Sequence, residues 1–145
     1  MTTIVPATTD RHFAQSRHLF EAYAAALGVD LCFQRFEEEL QALHTIYDNK
    51  PVGCGALRPL DEAACEMKRL YVTPAFREQR LGRRLAEQIM AEAHRLGYRT
   101  MRLDTLASLK PALTLYASLG FRAVAPYYAN PLPDVVYMER DLTNL

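Results

Sequence analysis

Leu70-Tyr71-Val72-Thr73-Pro74-Ala75-Phe76-Arg77-Glu78-Gln79-Arg80-Leu81-Gly82-Arg83-Arg84-Leu85 is the stretch on which the fold turns. A strand end runs into a polar turn, and the turn runs straight into a helix. Leu81, Leu85 and Ile89 are four apart, Ala86, Ala93 and Leu96 widen that stripe, and Gly97 supplies a stop. The spacing predicts a helix from about Leu81 to Leu96. N–H groups at a helix start point outward without intrahelical partners, and the macrodipole adds partial positive charge there. Such a start is an anion site. Arg77, Arg80, Arg83 and Arg84 surround it, and Gly82 lets a ligand come close to the backbone. A solvated basic helix start accounts for the same residues, and physics alone leaves both accounts open.

Outward from this stretch, strands and helices mix along the chain. Ile4 to Thr8 reads as a first strand. Asp10 can cap a helix carrying Phe13, Phe20, Tyr23, Ala24 and Leu27, ended by Gly28. A second, short helix is expected from about Phe33 to Leu43. Strands follow over Thr45 to Leu57, broken by the Asp48-Asn49-Lys50-Pro51 turn, and over Cys65 to Val72. Beyond the central helix come a strand from Tyr98 to Thr105 and a helix opened by Ser108 and Pro111 and ended by Gly120. Strands over Arg122 to Pro126 and Val135 to Leu142 complete the order, separated by a loop rich in Pro and Tyr. This order argues an α/β sandwich with one central sheet covered by helices.

Composition narrows the functional classes. The 145 residues fit one domain, and half of them are hydrophobic, enough for a sizeable core. Seventeen Lys plus Arg balance seventeen Asp plus Glu, which gives no electrostatic case for nucleic acid or an anionic membrane. Met1 to Pro6 has neither a basic n-region nor an apolar h-region, and no stretch reaches the ~20 apolar residues of a membrane span. A cytoplasmic protein is the expectation. Cys32, Cys54 and Cys65 form no Cys-x-x-Cys pair, and the four His are scattered. Buried thiols are therefore expected in preference to a metal site or a disulfide framework.

The quoted stretch resembles the acetyl-CoA signature of the GNAT superfamily, Arg/Gln-x-x-Gly-x-Gly/Ala, preceded by a strand ending Leu-x-Val-x-Pro. Arg77 takes the first position and Gly82 the last, while Arg80 stands where the first glycine is usual. A side chain at Arg80 calls for a helical φ below zero, since an enforced left-handed residue costs about 1–2 kcal/mol. Arg80 can instead reach a CoA phosphate, replacing backbone closeness with charge. Ala112-Leu113-Thr114-Leu115-Tyr116-Ala117-Ser118-Leu119-Gly120-Phe121 resembles the family's late helix, with Leu109 in the place of a usual Asn. Together with Glu66 to Val72 and the ending Val136 to Leu142, the resemblance covers most of the chain. It implies a single α/β domain over residues 1–145, with a central mixed sheet of about six to seven strands flanked by about four helices. It also implies an N-acetyltransferase using acetyl-CoA and no metal, acting on an amine acceptor of unknown identity, with a homodimer admissible. Leu70, Tyr71, Val72, Arg77, Glu78, Gln79, Arg80, Leu81, Gly82 and Arg83 would hold the cosubstrate. The backbone amides of Leu70, Tyr71 and Val72 would face its pantetheine arm.

The chemistry asks for further groups. An amine of pKa ~10.4 is neutral in only about one molecule in 2,500 at pH 7, so its proton must be removed, directly or through water. The oxyanion formed at the thioester needs N–H donors. The leaving sulfur, with a thiol pKa of about 8.5, benefits from a proton donor. Glu66, eleven residues before Arg77, matches a strand glutamate that serves as base in several GNAT enzymes. A strand-face salt bridge to Arg58 or Lys68, or a water relay with no dedicated base, accounts for it equally. Tyr116 matches the family's late-helix tyrosine as the acid, against the alternative of a core tyrosine beside Leu113 and Leu119. Tyr127, Tyr128 and Asn130, with Tyr23, Phe33, Arg35 and Phe36, resemble walls of acceptor sites, although each also reads as packing. The four His receive no role. The competing function is a CoA-binding or acyl-CoA-sensing module without turnover, which Arg80 and Leu109 favour.

Overall fold

The computed structural model describes residues 2–27, 41–47 and 50–145. Along the chain run β1 (Thr2–Pro6), α1 (Asp10–Leu27), β2 (Gln41–Tyr47), β3 (Lys50–Pro59), β4 (Ala64–Val72), a 3₁₀ segment (Pro74–Gln79), α2 (Leu81–Arg95), β5 (Thr100–Leu106), α3 (Lys110–Ser118), β6 (Arg122–Val124) and β7 (Val135–Asp141). Among the described residues that makes seven strands and three α-helices, an α/β architecture of the expected class. The helix expected over 33–43 lies outside the described residues up to 40. Its last stretch is corrected: Gln41–Leu43 opens β2, paired antiparallel with β1 (Pro6↔Leu43) and β3 (Gln41↔Leu57).

The contacts define two units, Met1–Arg58 with Met67–Ile89 and Pro59–Glu66 with Met90–Leu145. In the first, strands lie in the order β1-β2-β3-β4. Its core forms where the stripe of α2 meets β3 and β4: Leu81 and Leu85 pack with Val52 and Val72, joined by Ile4, Leu70 and Phe76. Leu19 and Phe20 of α1 pack with Cys54 and Ala56 of β3. Each fully buried Leu or Ile contributes about 1.5–3 kcal/mol over its exposed state, which is why this stripe decides the helix. The opposite face of α2 is solvated, and there Arg83 pairs with Glu87 at 3.0 Å.

Two glycines in β3 let α2 sit close. A Cβ built on Gly53 would lie 3.1 Å from Leu85 Cδ1, and one on Gly55 only 2.5 Å from Ile89 Cδ1 and 3.2 Å from Leu70 Cδ1. Gly55→Ala should therefore cost about 1 kcal/mol, the low end of overpacking because a side-chain tip can yield. Urea melts of the two proteins test this. An unchanged midpoint would show that Ile89 moves aside freely.

The second unit orders its strands β4-β5-β7-β6. Ala64–Glu66 of β4 runs parallel to Thr100–Arg102, whereas β5 and β6 both pair antiparallel with β7, so the sheet is mixed. Entry into β4 is fixed by Asp61, whose Oδ1 accepts the N–H groups of Ala63 and Ala64, each at 2.7 Å. Those bonds hold its carboxyl below the usual range. Along β5 the side chains alternate strictly. Met101, Leu103 and Thr105 are buried, and Arg102 and Asp104 take the other face. Gly120 ends α3 with φ +92, and Arg140 Nε donates to the Leu119 carbonyl at 2.6 Å beside it.

Candidate active site

The turn before α2 is itself helical. Pro74–Gln79 forms a 3₁₀ segment with Thr73 as its N-cap, and Arg80 closes it at φ 60, ψ 22. The expectation of a negative φ at Arg80 is thus overturned: an arginine adopts the left-handed conformation that glycine takes without cost. The reason is local. Arg80 is the C-cap of the 3₁₀ segment and stands directly before α2, and a left-handed residue is a common way to close a helical segment. The first α-type bond of α2 runs from Arg84 N–H to Arg80 C=O at 3.1 Å. The amides of Leu81, Gly82 and Arg83 precede it and belong to the donor set that a helix start leaves over.

The arginines around this start divide their tasks. Arg77 Nε donates to the Val72 carbonyl at 3.1 Å, and its guanidinium lies 5.7 Å from the Tyr71 ring centre, so it clamps the 3₁₀ segment to the end of β4. Tyr71 in turn meets Tyr23 of α1 at 5.8 Å. Arg84 donates to Thr2 Oγ1 at 2.9 Å. Arg83 shares its charge with Glu87, and Arg80 is exposed. The Leu81 side chain is fully buried and Val72 nearly so, which leaves only their backbone groups for a ligand. Leu70 packs on the core, Glu78 and Gln79 lie within the 3₁₀ segment, and Gly82 stands in the first turn of α2.

The second unit carries Glu66 and Tyr116. Glu66 is 1 % exposed, and its Oε2 accepts a hydrogen bond from the Tyr127 hydroxyl. Tyr128 donates to Asp104 Oδ2 at 2.5 Å, and Asn130 Nδ2 reaches the same oxygen at 2.6 Å and the Tyr128 hydroxyl at 2.9 Å. Tyr137 donates to the Tyr128 carbonyl at 2.9 Å. The rings of Tyr127, Tyr128 and Tyr137 pack with centres 5.3–5.7 Å apart. Burial foremost, and then the Glu66 charge, push the Tyr127 hydroxyl far above the ordinary phenol range. Burial and the bond to Asp104 do the same to Tyr128. Both phenols therefore keep their protons and act as donors.

Tyr116 is buried in α3 and meets Phe121 edge-on at 5.8 Å, while its carbonyl accepts the Phe121 N–H at 3.0 Å. Leu109 occupies the N-cap of that helix and supplies no side-chain cap. Glu66 is thus brought together with Tyr127, one of the expected acceptor-site residues, and Tyr128 with Asn130. Phe33, Arg35 and Phe36 lie outside the described residues. Asp104 is the residue that sequence reasoning missed. The signal was present as two charges, Arg102 and Asp104, alternating with Met101 and Leu103 in one strand. Cys54 and Cys65 are buried thiols, and burial pushes Cys65 up to about 12, out of the range of a nucleophile at neutral pH.

Residues 7–121 match the family model for the acetyltransferase (GNAT) family. An N-acetyltransferase of Schizosaccharomyces pombe, itself uncharacterized, is 39% identical over 139 residues, covering 86% of this chain and 85% of the relative. Among solved structures, one assigned as an acyl-CoA N-acyltransferase of Klebsiella pneumoniae superposes with a TM-score of 0.83 at 32% identity, over 98% of both chains. A GNAT family acetyltransferase from Elizabethkingia anophelis, solved with acetyl-CoA bound, shares the fold at a TM-score of 0.75 and 20% identity, over 97% of both chains. With the family model spanning both units and the relative aligned over most of its length, the chain belongs to the GNAT family of acetyltransferases, enzymes that take their acetyl group from acetyl-CoA.

Proposed function

We propose that this chain moves the acetyl group of acetyl-CoA to an amine acceptor, small molecule or protein. In this reading the phosphates sit on the start of α2, Glu66 receives the acceptor's proton and Tyr116 protonates the departing sulfur. What carries the reading is the junction at Arg80. Its left-handed backbone starts α2 so that the Leu81, Gly82 and Arg83 amides stand together ahead of the first helical bond. Acetyl-CoA, when bound, supplies an activated thioester. The chain supplies the rest. Backbone groups of Leu70, Tyr71 and Val72 align the pantetheine arm, with Glu78, Gln79 and Arg83 bordering the phosphates. Arg77 keeps the 3₁₀ segment on β4, and Arg80 adds an exposed charge.

The reading extends to the whole chain as one catalytic domain, since the family match runs through segments of both units. A cytoplasmic location accords with it. Among the described residues, no helix is long and apolar enough to cross a membrane. A homodimer is compatible with it. The second reading, a CoA-binding sensor without turnover, draws on one observation: the Glu66 carboxylate is already capped by Tyr127.

Two measurements decide between them. Acetyl-CoA at ~100 times its dissociation constant should stabilise the protein by about 2.7 kcal/mol and raise its Tm. A panel of primary amines should then release free CoA thiol. An unchanged melt at millimolar acetyl-CoA would remove both readings, and protection without thiol release across the panel would leave the sensor.

A further inference from the structure

We propose that Tyr127 is the proton relay between the acceptor amine and Glu66, a role that rests on the reading of Glu66 as the base. Glu66 is 1 % exposed, so an acceptor has no direct line to its carboxylate. Its Oε2 is met by the Tyr127 hydroxyl, and Tyr127 is only half-buried. A phenol that donates to a carboxylate keeps lone pairs with which to accept from an ammonium N–H. The hydroxyl can therefore donate to Glu66 while it accepts from an amine, as a relay must.

The ring is held so that the hydroxyl stays in place. Tyr128 and Tyr137 flank it at 5.3 and 5.4 Å, and the Arg102 guanidinium lies 5.7 Å from its centre. Each support is itself tied down. Asp104 and Asn130 hold Tyr128, Tyr137 bonds to the Tyr128 carbonyl, and Arg102 pairs with Glu139 at 3.0 Å. Six side chains, from β5, β7 and the loop before β7, thus fix a single oxygen against Glu66.

The proton balance closes. One ammonium N–H proton passes to the Tyr127 oxygen as the Tyr127 proton passes to Glu66 Oε2. A separate phenolate is disfavoured by burial and by the Glu66 charge, so the two transfers run together. An ammonium and a carboxylate become a neutral amine and a carboxylic acid, a change that a buried site favours. The amine lone pair then forms the C–N bond as the thioester C–S bond breaks. A second amine proton reaches the CoA sulfur by way of Tyr116. After the amide leaves, Glu66 returns its proton to solvent through the same hydroxyl.

Wild type, Tyr127→Phe, Glu66→Gln and the double variant are compared using acetyl-CoA and spermidine, lysine and a dipeptide with a free N-terminus, with thiol release as readout. Each single variant should lose ~10²–10⁴-fold in kcat. Because the two groups act in series, the double variant should be no slower than the slower single. The KM for acetyl-CoA should stay within a few-fold. With spermidine and the lysine side chain the Tyr127→Phe loss should shrink about tenfold per pH unit between pH 7 and 9, as the fraction of already neutral amine rises. With the dipeptide, whose α-amino pKa is about 7.7–8.0, the shrinkage should level off above pH 8. Full kcat in Tyr127→Phe with a slow Glu66→Gln overturns the relay and leaves the base. Full kcat in Glu66→Gln overturns the base and the relay with it. A pH-independent loss in Tyr127→Phe with a lowered Tm makes the tyrosine a packing residue and overturns the relay. No turnover of any of these amines by wild type overturns amine acetylation, and the relay with it.

Discussion

Tyr116→Phe is expected to lose about 10²–10⁴-fold in turnover while its acetyl-CoA dissociation constant stays within a few-fold. The substitution isolates chemistry from packing. Tyr116 is 8 % exposed, and its ring meets Phe121 edge-on, a contact that phenylalanine keeps. Its carbonyl closes the end of α3 on the Phe121 N–H, which no side-chain change disturbs. Only the hydroxyl is lost, and with it the proton offered to a leaving sulfur whose thiol pKa is about 8.5. Tyr116→Ala would be a poorer probe. Emptying an aromatic site costs about 3–5 kcal/mol, and a fall in activity would then mix with unfolding. Thiol release at saturating acetyl-CoA, paired with equilibrium binding, separates the two effects. Undiminished turnover in purified Tyr116→Phe would reduce the tyrosine to a core residue and leave the sulfur to depart as thiolate.

The fold was legible where one face of an element is buried and its period is long enough to count. Leu81, Leu85 and Ile89 announce α2, and all three lie in the core. At Gln41-Ala42-Leu43 the signal failed because a three-residue mixture of polar and apolar side chains fits either period. Pairing with both β1 and β3 decides the matter there, and that pairing is long-range. The candidate site divides in the same way. The segment from Leu70 to Arg83 is contiguous and could be read as one motif. The link between Glu66 and Tyr127 spans 61 residues and appears only once the chain is folded. Asp104 was passed over because a pair of opposite charges on one strand face, Arg102 and Asp104, reads as a solvated face until Tyr128 and Asn130 arrive from a distant loop. Sequence spacing could nominate a base, but not show that a tyrosine covers it.

Arg80 separates backbone strain from charge, and its two substitutions should move stability and affinity in different patterns. At φ 60 the residue carries the left-handed cost of about 1–2 kcal/mol. Glycine lifts that cost but gains about 0.4–1 kcal/mol of unfolded-chain entropy, so Arg80→Gly should be more stable than wild type by up to about 1.6 kcal/mol without ligand. Arg80→Ala keeps a Cβ, hence the strain, and should melt close to wild type. Both lose the guanidinium. If Arg80 contacts a phosphate of acetyl-CoA, both should bind it about 1–3 kcal/mol more weakly, roughly 5- to 150-fold. The loss should be larger at low ionic strength, because the charge is exposed and screened by salt. Urea melts give the first quantity, and calorimetric titrations at 50 and 500 mM salt give the second. Arg80→Gly melting below wild type would show that the turn holds an arginine without strain. Equal affinity in all three proteins would show that the amides of α2 bind the phosphates without help from Arg80.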